Sequence, residues 1–105
     1  MSARSEGAGD PVGSFEELAT LFRRLASPIR LAIIDHLASG ESCVHELVDA
    51  LGQSQPLISQ HLRILRDANL VTAGRRGQEM VYQISDDHVI HIVRDGLTHT
   101  QEEKS

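Results

Sequence analysis

Cysteine occurs once in the 105 residues, as Cys43. A single thiol excludes an intramolecular disulfide framework and suits a reducing compartment. No apolar run approaches the roughly 20 residues that a bilayer-spanning helix needs. Residues 1 to 13 also lack the apolar stretch of a signal peptide. These absences lead to the expectation of a cytoplasmic protein with no membrane partner. Internal repeats are missing too, and no serine or cysteine stands in a recognisable nucleophile motif. His45-Glu46-Leu47-Val48-Asp49 begins like the H-E-x-x-H of zinc hydrolases but ends in aspartate. The chain is not read as an enzyme, and no small organic substrate is expected. What is present is a hydrophobic content of 40%, enough for one small core but marginal in stability without a partner.

A surplus of positive charge is also lacking, since the formal net charge is −5. Its distribution says more than its sum. Residues 1 to 53 carry four Arg against eight acids, and residues 83 to 105 carry two bases against five acids. Between them, residues 54 to 82 hold Arg63, Arg66, Arg75 and Arg76 against Asp67 and Glu79 alone. Positive charge is gathered in one segment, a weak footprint of nucleic-acid binding.

Apolar periodicity assigns that segment its structure. Ser14 followed by Glu17 has the form of a capping box, and Phe15, Leu18, Leu21, Phe22 and Leu25 recur at helical spacing, which predicts a first helix over 15 to 26. Ser27-Pro28 opens a second, with Ile29, Ala32, Ile33 and Leu37 as its stripe and Ser39-Gly40 as its stop. Ser42 is expected to cap a short third helix that points Val44, Leu47, Val48 and Leu51 inward and ends at Gly52. Ser54 caps a fourth over 55 to 68, in which Ile58, Leu62 and Leu65 face the core and Gln55, Ser59, Gln60 and Arg63 face outward. Two helices joined by a few residues containing glycine form a helix-turn-helix. After Asn69 the pattern turns to alternation, with Met80, Tyr82 and Ile84 set against Glu79, Val81 and Gln83, and with Arg75 to Gln78 as the turn. A final helix starts at Ser85 or Asp86 and continues to about Thr100, with Val89, Ile92, Val93 and Leu97 as its apolar positions. The fold class expected is mainly α with a β-hairpin wing. Residues 14–102 form the domain, 1–13 a disordered N-terminal tail and 103–105 a C-terminal tail.

The last helix carries Asp86, His88, His99 and Glu102, spaced D-x-H and H-x-x-E. His88 and His99 lie about 16 Å apart along a helix, although they share a face to within about 20°. One helix therefore cannot close a site around one ion. If a second copy packs antiparallel, 86 lies opposite 102 and 88 opposite 99, so each half meets its complement and a symmetric dimer gains two equivalent sites. Asp86 and His88 would stand about 200° apart on a regular helix, so Asp86 is expected to use the geometry of a cap to turn toward the ion. Two imidazoles and two carboxylates suit Zn(II) in a closed tetrahedron at about 2.0–2.2 Å per bond. The set has no sulfur, which disfavours Cu(I) and leaves Co(II) and Ni(II) compatible.

From Leu25 to Glu102 the sequence resembles the ArsR/SmtB family of winged-helix metal-sensing repressors. The likeness rests on Leu25 to Leu31 (LASPIRL), on Ser54 to Arg63 (SQPLISQHLR), and on the Asp86, His88, His99 and Glu102 spacing of the zinc-sensing branch. It implies a winged helix-turn-helix that is a homodimer through its terminal helices. It further implies a repressor that binds double-stranded DNA as the apo dimer and is released by metal, so that metal export or sequestration genes are derepressed. A dimeric helix-turn-helix reads an inverted repeat with half-sites about one helical turn, or a multiple, apart. Ser54, Gln55, Ser59, Gln60 and Arg63, with Arg75 and Arg76 of the wing, are the expected DNA contacts, the glutamines reading adenine and the arginines holding phosphate or the minor groove. Cys43 and His45 stand where some family members place thiolate ligands, which makes them candidates for an accessory metal or redox site. The alternative function is a winged-helix repressor governed by Cys43 redox chemistry or by a protein partner.

Overall fold

The computed structural model describes residues 10–104. Residues 1 to 9 of the expected N-terminal tail lie outside the described residues, as does Ser105. Five helices follow in order: α1 (Glu16–Leu25), α2 (Pro28–Leu37), α3 (Val44–Leu51), α4 (Gln55–Asp67) and α5 (Asp87–Glu103). Three strands lie among the described residues: β1 (Ser42–Cys43), β2 (Val71–Arg76) and β3 (Glu79–Ile84). They form one antiparallel sheet in the order β1-β3-β2. Among the described residues no helix is long and apolar enough to cross a membrane.

The helix-turn-helix owes its shape to its caps. The Ser27 and Ser54 hydroxyls accept the backbone N–H groups of Arg30 and Leu57, each at 3.3 Å. Pro28 is the first residue of α2 and Pro56 the second of α4, within the first turn, where a missing N–H costs no intrahelical bond. Gly52 takes a left-handed conformation at φ 66° and donates to the Val48 carbonyl, ending α3. Asn69, also left-handed at φ 61°, ends α4. The Asn69 N–H bonds the Arg66 carbonyl and the Leu70 N–H the Leu65 carbonyl, both at 2.9 Å. This is the paired arrangement that satisfies a helix's last carbonyls, and it joins buried Leu65 and Leu70.

Ile33, Ile34 and Leu37 of α2, Leu47 of α3, and Ile58, Leu62 and Leu65 of α4 form the core centre, with Val71, Val89 and Val93 completing it from the sheet and α5. Each fully buried aliphatic side chain contributes about 1.5–3 kcal/mol over leaving it in water. Arg94 ties α5 to α2 at the surface, its Nε donating to Asp35 Oδ1 at 3.0 Å and its NH2 to the Asp35 carbonyl at 3.3 Å.

Several local expectations are corrected. Ser14 does not cap α1, because Asp10 captures the chain first. Its carboxylate accepts the Val12 N–H at 2.9 Å and its carbonyl the Gly13 N–H at 3.2 Å. A 3-10 turn over Gly13–Phe15 follows, and the Ser14 hydroxyl donates back to the Pro11 carbonyl. Ser42 is not the cap of α3 either, since it pairs with Tyr82 in β1. Cys43 is the cap residue, and its N–H donates to Glu46 Oε1 at 2.8 Å. Arg75 and Arg76 belong to β2, not to the turn, which is Gly77-Gln78 with Gly77 at φ 66°. Glycine with positive φ at the first position of a two-residue loop matches the twist of the strands. The alternation in β3 is covered on both sides. Tyr82 and Ile84 pack on the core, while Val81 is buried on the other face, where it pairs with Cys43 of β1. The stripe of α1 is only partly used: Leu25 is buried, but Phe15 and Phe22 are 61% and 48% exposed. Leu97 of α5 is 43% exposed as well. Phe22, Leu31, Ile92 and Leu97 line a groove of about 650 Å³ between α1, α2 and α5.

Candidate nucleic-acid interface and metal centre

Burial of Ile58, Leu62 and Leu65 fixes how α4 is turned. Ser54, Gln55, Ser59, Gln60 and Arg63 consequently stand exposed along one side of its first two turns. His61 falls on the flank, partly buried, and neither its Nδ1 nor the Nε of Arg30 finds a partner among the described residues. Burial, and then the positive charge of Arg30, push the His61 imidazole below its ordinary pKa.

The two wing arginines, expected to act alike, have different surroundings. Arg75 is exposed and donates to the Gln78 carbonyl of its own turn, at 3.4 Å. Arg76 is surrounded by carboxylates: its NH2 donates to Glu46 Oε1 at 3.1 Å and lies 3.9 Å from Glu79, and its NH1 lies 3.7 Å from Glu41. Glu46 is held down at about 2, first by the Cys43 backbone N–H, then by the Cys43 side chain and Arg76. The same contact with Glu46 raises the pKa of Arg76.

On α5 the first pair of candidate ligands is assembled. Asp86 is the N-cap at φ −156° and ψ 162°, and its Oδ1 accepts the Val89 N–H at 3.3 Å. The extended cap turns that same oxygen to within 3.5 Å of His88 Nδ1. About 16 Å of helix separate His88 of this pair from His99 of the next. There His99 Nε2 contacts Glu103 Oε2 at 3.1 Å, one turn on, rather than Glu102. All four candidate ligands are exposed. Among the described residues they do not gather into a three-ligand cluster within one protomer.

A cluster does form where α3 meets the sheet. Cys43 Sγ lies 3.2 Å from His45 Nδ1 and 3.7 Å from its Nε2. His45 Nδ1 lies 3.5 Å from Glu79 Oε2, and ligand atoms of all three fall within 4.8 Å of one another. The sequence reading missed Glu79 because it missed β1, a two-residue strand too short to show periodicity. One signal was available: Glu46 stands three residues after Cys43, the spacing of a capping box, which moves the helix start from Ser42 to Cys43.

A family model described as "Bacterial regulatory protein, arsR family" matches residues 27–73, from the cap of α2 into β2. The chain belongs to the arsR family. The transcriptional repressor SmtB of Mycobacterium tuberculosis is 51% identical over 83 residues, which is 79% of this chain and 62% of SmtB. The chain thus spans about three fifths of that relative's length. Two solved structures share the arsR-like winged helix. The AntR antimony-specific transcriptional repressor superposes with a TM-score of 0.79 at 32% identity, over 99% of this chain and 96% of AntR. The homodimeric winged helix-turn-helix DNA-binding domain of Mb0332 from Mycobacterium bovis gives 0.76 at 29%, over 91% and 90%. The arsR match includes α4 but stops before most of the wing and all of α5, so every candidate ligand on α5 lies outside it.

Proposed function

We propose that this arsR-family chain is a metal-responsive transcriptional repressor. As an apo homodimer it binds an inverted-repeat operator, and it leaves the DNA on taking Zn(II) at two sites shared between the α5 helices of the two protomers. The observation that carries the proposal is the division of α5: Asp86 and His88 are brought together at its start, and His99 and Glu102 lie about three to four turns away. Antiparallel pairing of two such helices sets each half against its complement.

The donor set fits the ion. Two imidazole nitrogens and two carboxylate oxygens complete a zinc tetrahedron with no position left for substrate water, as a sensor requires. The Asp86 carboxylate, already drawn out of helical geometry by its cap role, faces His88. Glu103 holds His99 in the separate protomer and has to release it when the ion arrives. A partner helix has a surface to meet: Phe22, Leu31 and Leu97 are exposed around the α1–α2–α5 groove, and the similar Mb0332 domain is homodimeric.

In the operator complex α4 enters the major groove, where Gln55 and Gln60 offer adenine a donor and an acceptor together. Ser54 and Ser59 bond phosphate or a base edge. Arg63, Arg75 and Arg76 supply phosphate attraction, which sets affinity more than sequence choice. SmtB carries the name of a transcriptional repressor; for this chain the expected output is derepression of metal export or sequestration. Ligands shared across the twofold axis allow the ion to alter the spacing of the two α4 helices. Arg94, joined to Asp35, links α5 to α2 along that route. A coupling of a few kcal/mol lowers operator affinity by about two decades.

Titration of the purified apo dimer on its operator with zinc tests this. Release by zinc, reversal by chelator, and loss of the response in His88→Ala and His99→Ala are expected. Operator binding that is indifferent to zinc in the unsubstituted protein overturns the proposal.

A further inference from the structure

We propose that Glu41, Glu46 and Glu79 act as a brake on operator binding: they hold the Arg76 guanidinium against the start of α3 and keep the second arginine of the wing from the DNA phosphates. The inference rests on the reading that the wing meets DNA, and it leaves Arg76 the lesser share of the wing's attraction. It does not depend on zinc.

The strand sets the two arginines apart. Successive side chains of a strand leave opposite faces of the sheet, so Arg75 and Arg76 of β2 cannot point the same way. Arg75 pairs with Met80 and Arg76 with Glu79 across the hairpin. Arg76 and Glu79 therefore share the face on which Val81 meets Cys43 of β1, where α3 begins. There the Arg76 guanidinium reaches Glu46 at 3.1 Å, Glu41 at 3.7 Å and Glu79 at 3.9 Å. Arg75 meets a carbonyl of its own turn instead.

An exposed ion pair alone is weak, and Arg76 keeps 45% of its side chain exposed. Two features make this arrangement hold. Glu46 Oε1 also accepts the Cys43 N–H at 2.8 Å within the α3 capping box, so the guanidinium finds its shortest contact already fixed in place. Glu41 and Glu79 add attraction from two other segments. Three carboxylates against one guanidinium leave the cage net negative. A phosphate approaching Arg76 meets that charge as well, at separations inside the Debye length of about 8 Å at physiological salt. The exposure that would admit a phosphate is offset by the charge that repels it.

The test measures operator affinity and its salt dependence by fluorescence anisotropy, using metal-free full-length protein in the presence of chelator. Glu41→Gln combined with Glu79→Gln is expected to raise affinity roughly tenfold and to steepen the slope of log affinity against log salt by about one, as one further phosphate contact does. Glu41→Gln alone is expected to give a gain of about twofold to threefold, the size of one exposed ion pair. Adding Arg76→Ala should abolish these gains. Unchanged affinity in both carboxylate variants overturns the brake. So does a gain that survives Arg76→Ala, since the carboxylates would then repel DNA without acting through Arg76. Zinc enters in a separate titration: a protein that shows the gain but ignores zinc refutes the sensor reading and keeps the brake, and one that is released by zinc but shows no gain does the reverse.

Discussion

α5 and the corner between α3 and the wing are built from similar side chains and reach opposite results. On α5 the histidines and carboxylates are strung along a single rod: Asp86 and His88 meet at one end, His99 meets Glu103 at the other, and among the described residues no cluster joins the two. At the corner, Cys43, His45 and Glu79 come from a strand end, a helix start and a neighbouring strand, and they converge within 4.8 Å. Helical rise separates residues that sequence places in one segment, whereas antiparallel pairing unites residues more than thirty positions apart. The α5 candidates are therefore suited to report on a second protomer, whereas the contacts of the corner close within one.

The sharpest way to break this contrast is at His99. His99→Ala should remove the whole zinc response, about a hundredfold in operator affinity, while apo binding stays intact; fluorescence anisotropy with and without zinc measures both. A variant that still releases DNA normally would place the switch elsewhere, with the corner as the next candidate. The wing arginines give the next effect. Arg75→Ala should weaken operator binding roughly tenfold and reduce the slope of log affinity against log salt by about one. Arg76→Ala should cost less, because Arg76 already spends its charge on Glu41, Glu46 and Glu79. Equal losses would mean that the corner opens when DNA binds.

Acid stability sharpens the corner alone. Glu46 has a folded pKa of about 2 against an ordinary 4.5, so its contribution is present above 4.5 and is lost as pH falls toward about 2. Glu46→Gln should flatten that part of the melting-temperature profile, as followed by circular dichroism. His61 gives the smallest effect. Its folded pKa lies below the ordinary 6.5, so the unfolded chain binds the proton first and stability declines as pH drops below 6.5. His61→Asn should remove this decline, and an unchanged profile would show that the ring is hydrated in solution.

Much of the fold could be read from local chemistry. Ser27-Pro28, Ser54 and Gly52 mark helix ends because each satisfies or ends a run of backbone hydrogen bonds without outside help. Asp86 is legible as a cap for the same reason, and its backbone is extended. Failures came where a distant segment intervened. Ser42 pairs with Tyr82 of β3 instead of capping α3; Ser14 is the local exception, displaced by Asp10 four residues before it. Glu41, Glu46 and Glu79 share Arg76 of β2 as a partner, a meeting of three segments that no local spacing shows. Phe15, Leu18 and Phe22 repeat at helical spacing yet remain exposed, since periodicity marks an apolar face without saying what covers it.

Mixing two defective proteins tests the shared site most directly. In a heterodimer of His88→Ala with His99→Ala, one site loses both histidines while the other takes its intact His99 from the first protomer and its intact His88 from the second. Zinc titration of the mixed, re-equilibrated dimers should recover one intact site per heterodimer, although neither variant alone binds with native affinity. Absence of any recovery, with heterodimers demonstrably formed, would contradict a site built across two chains.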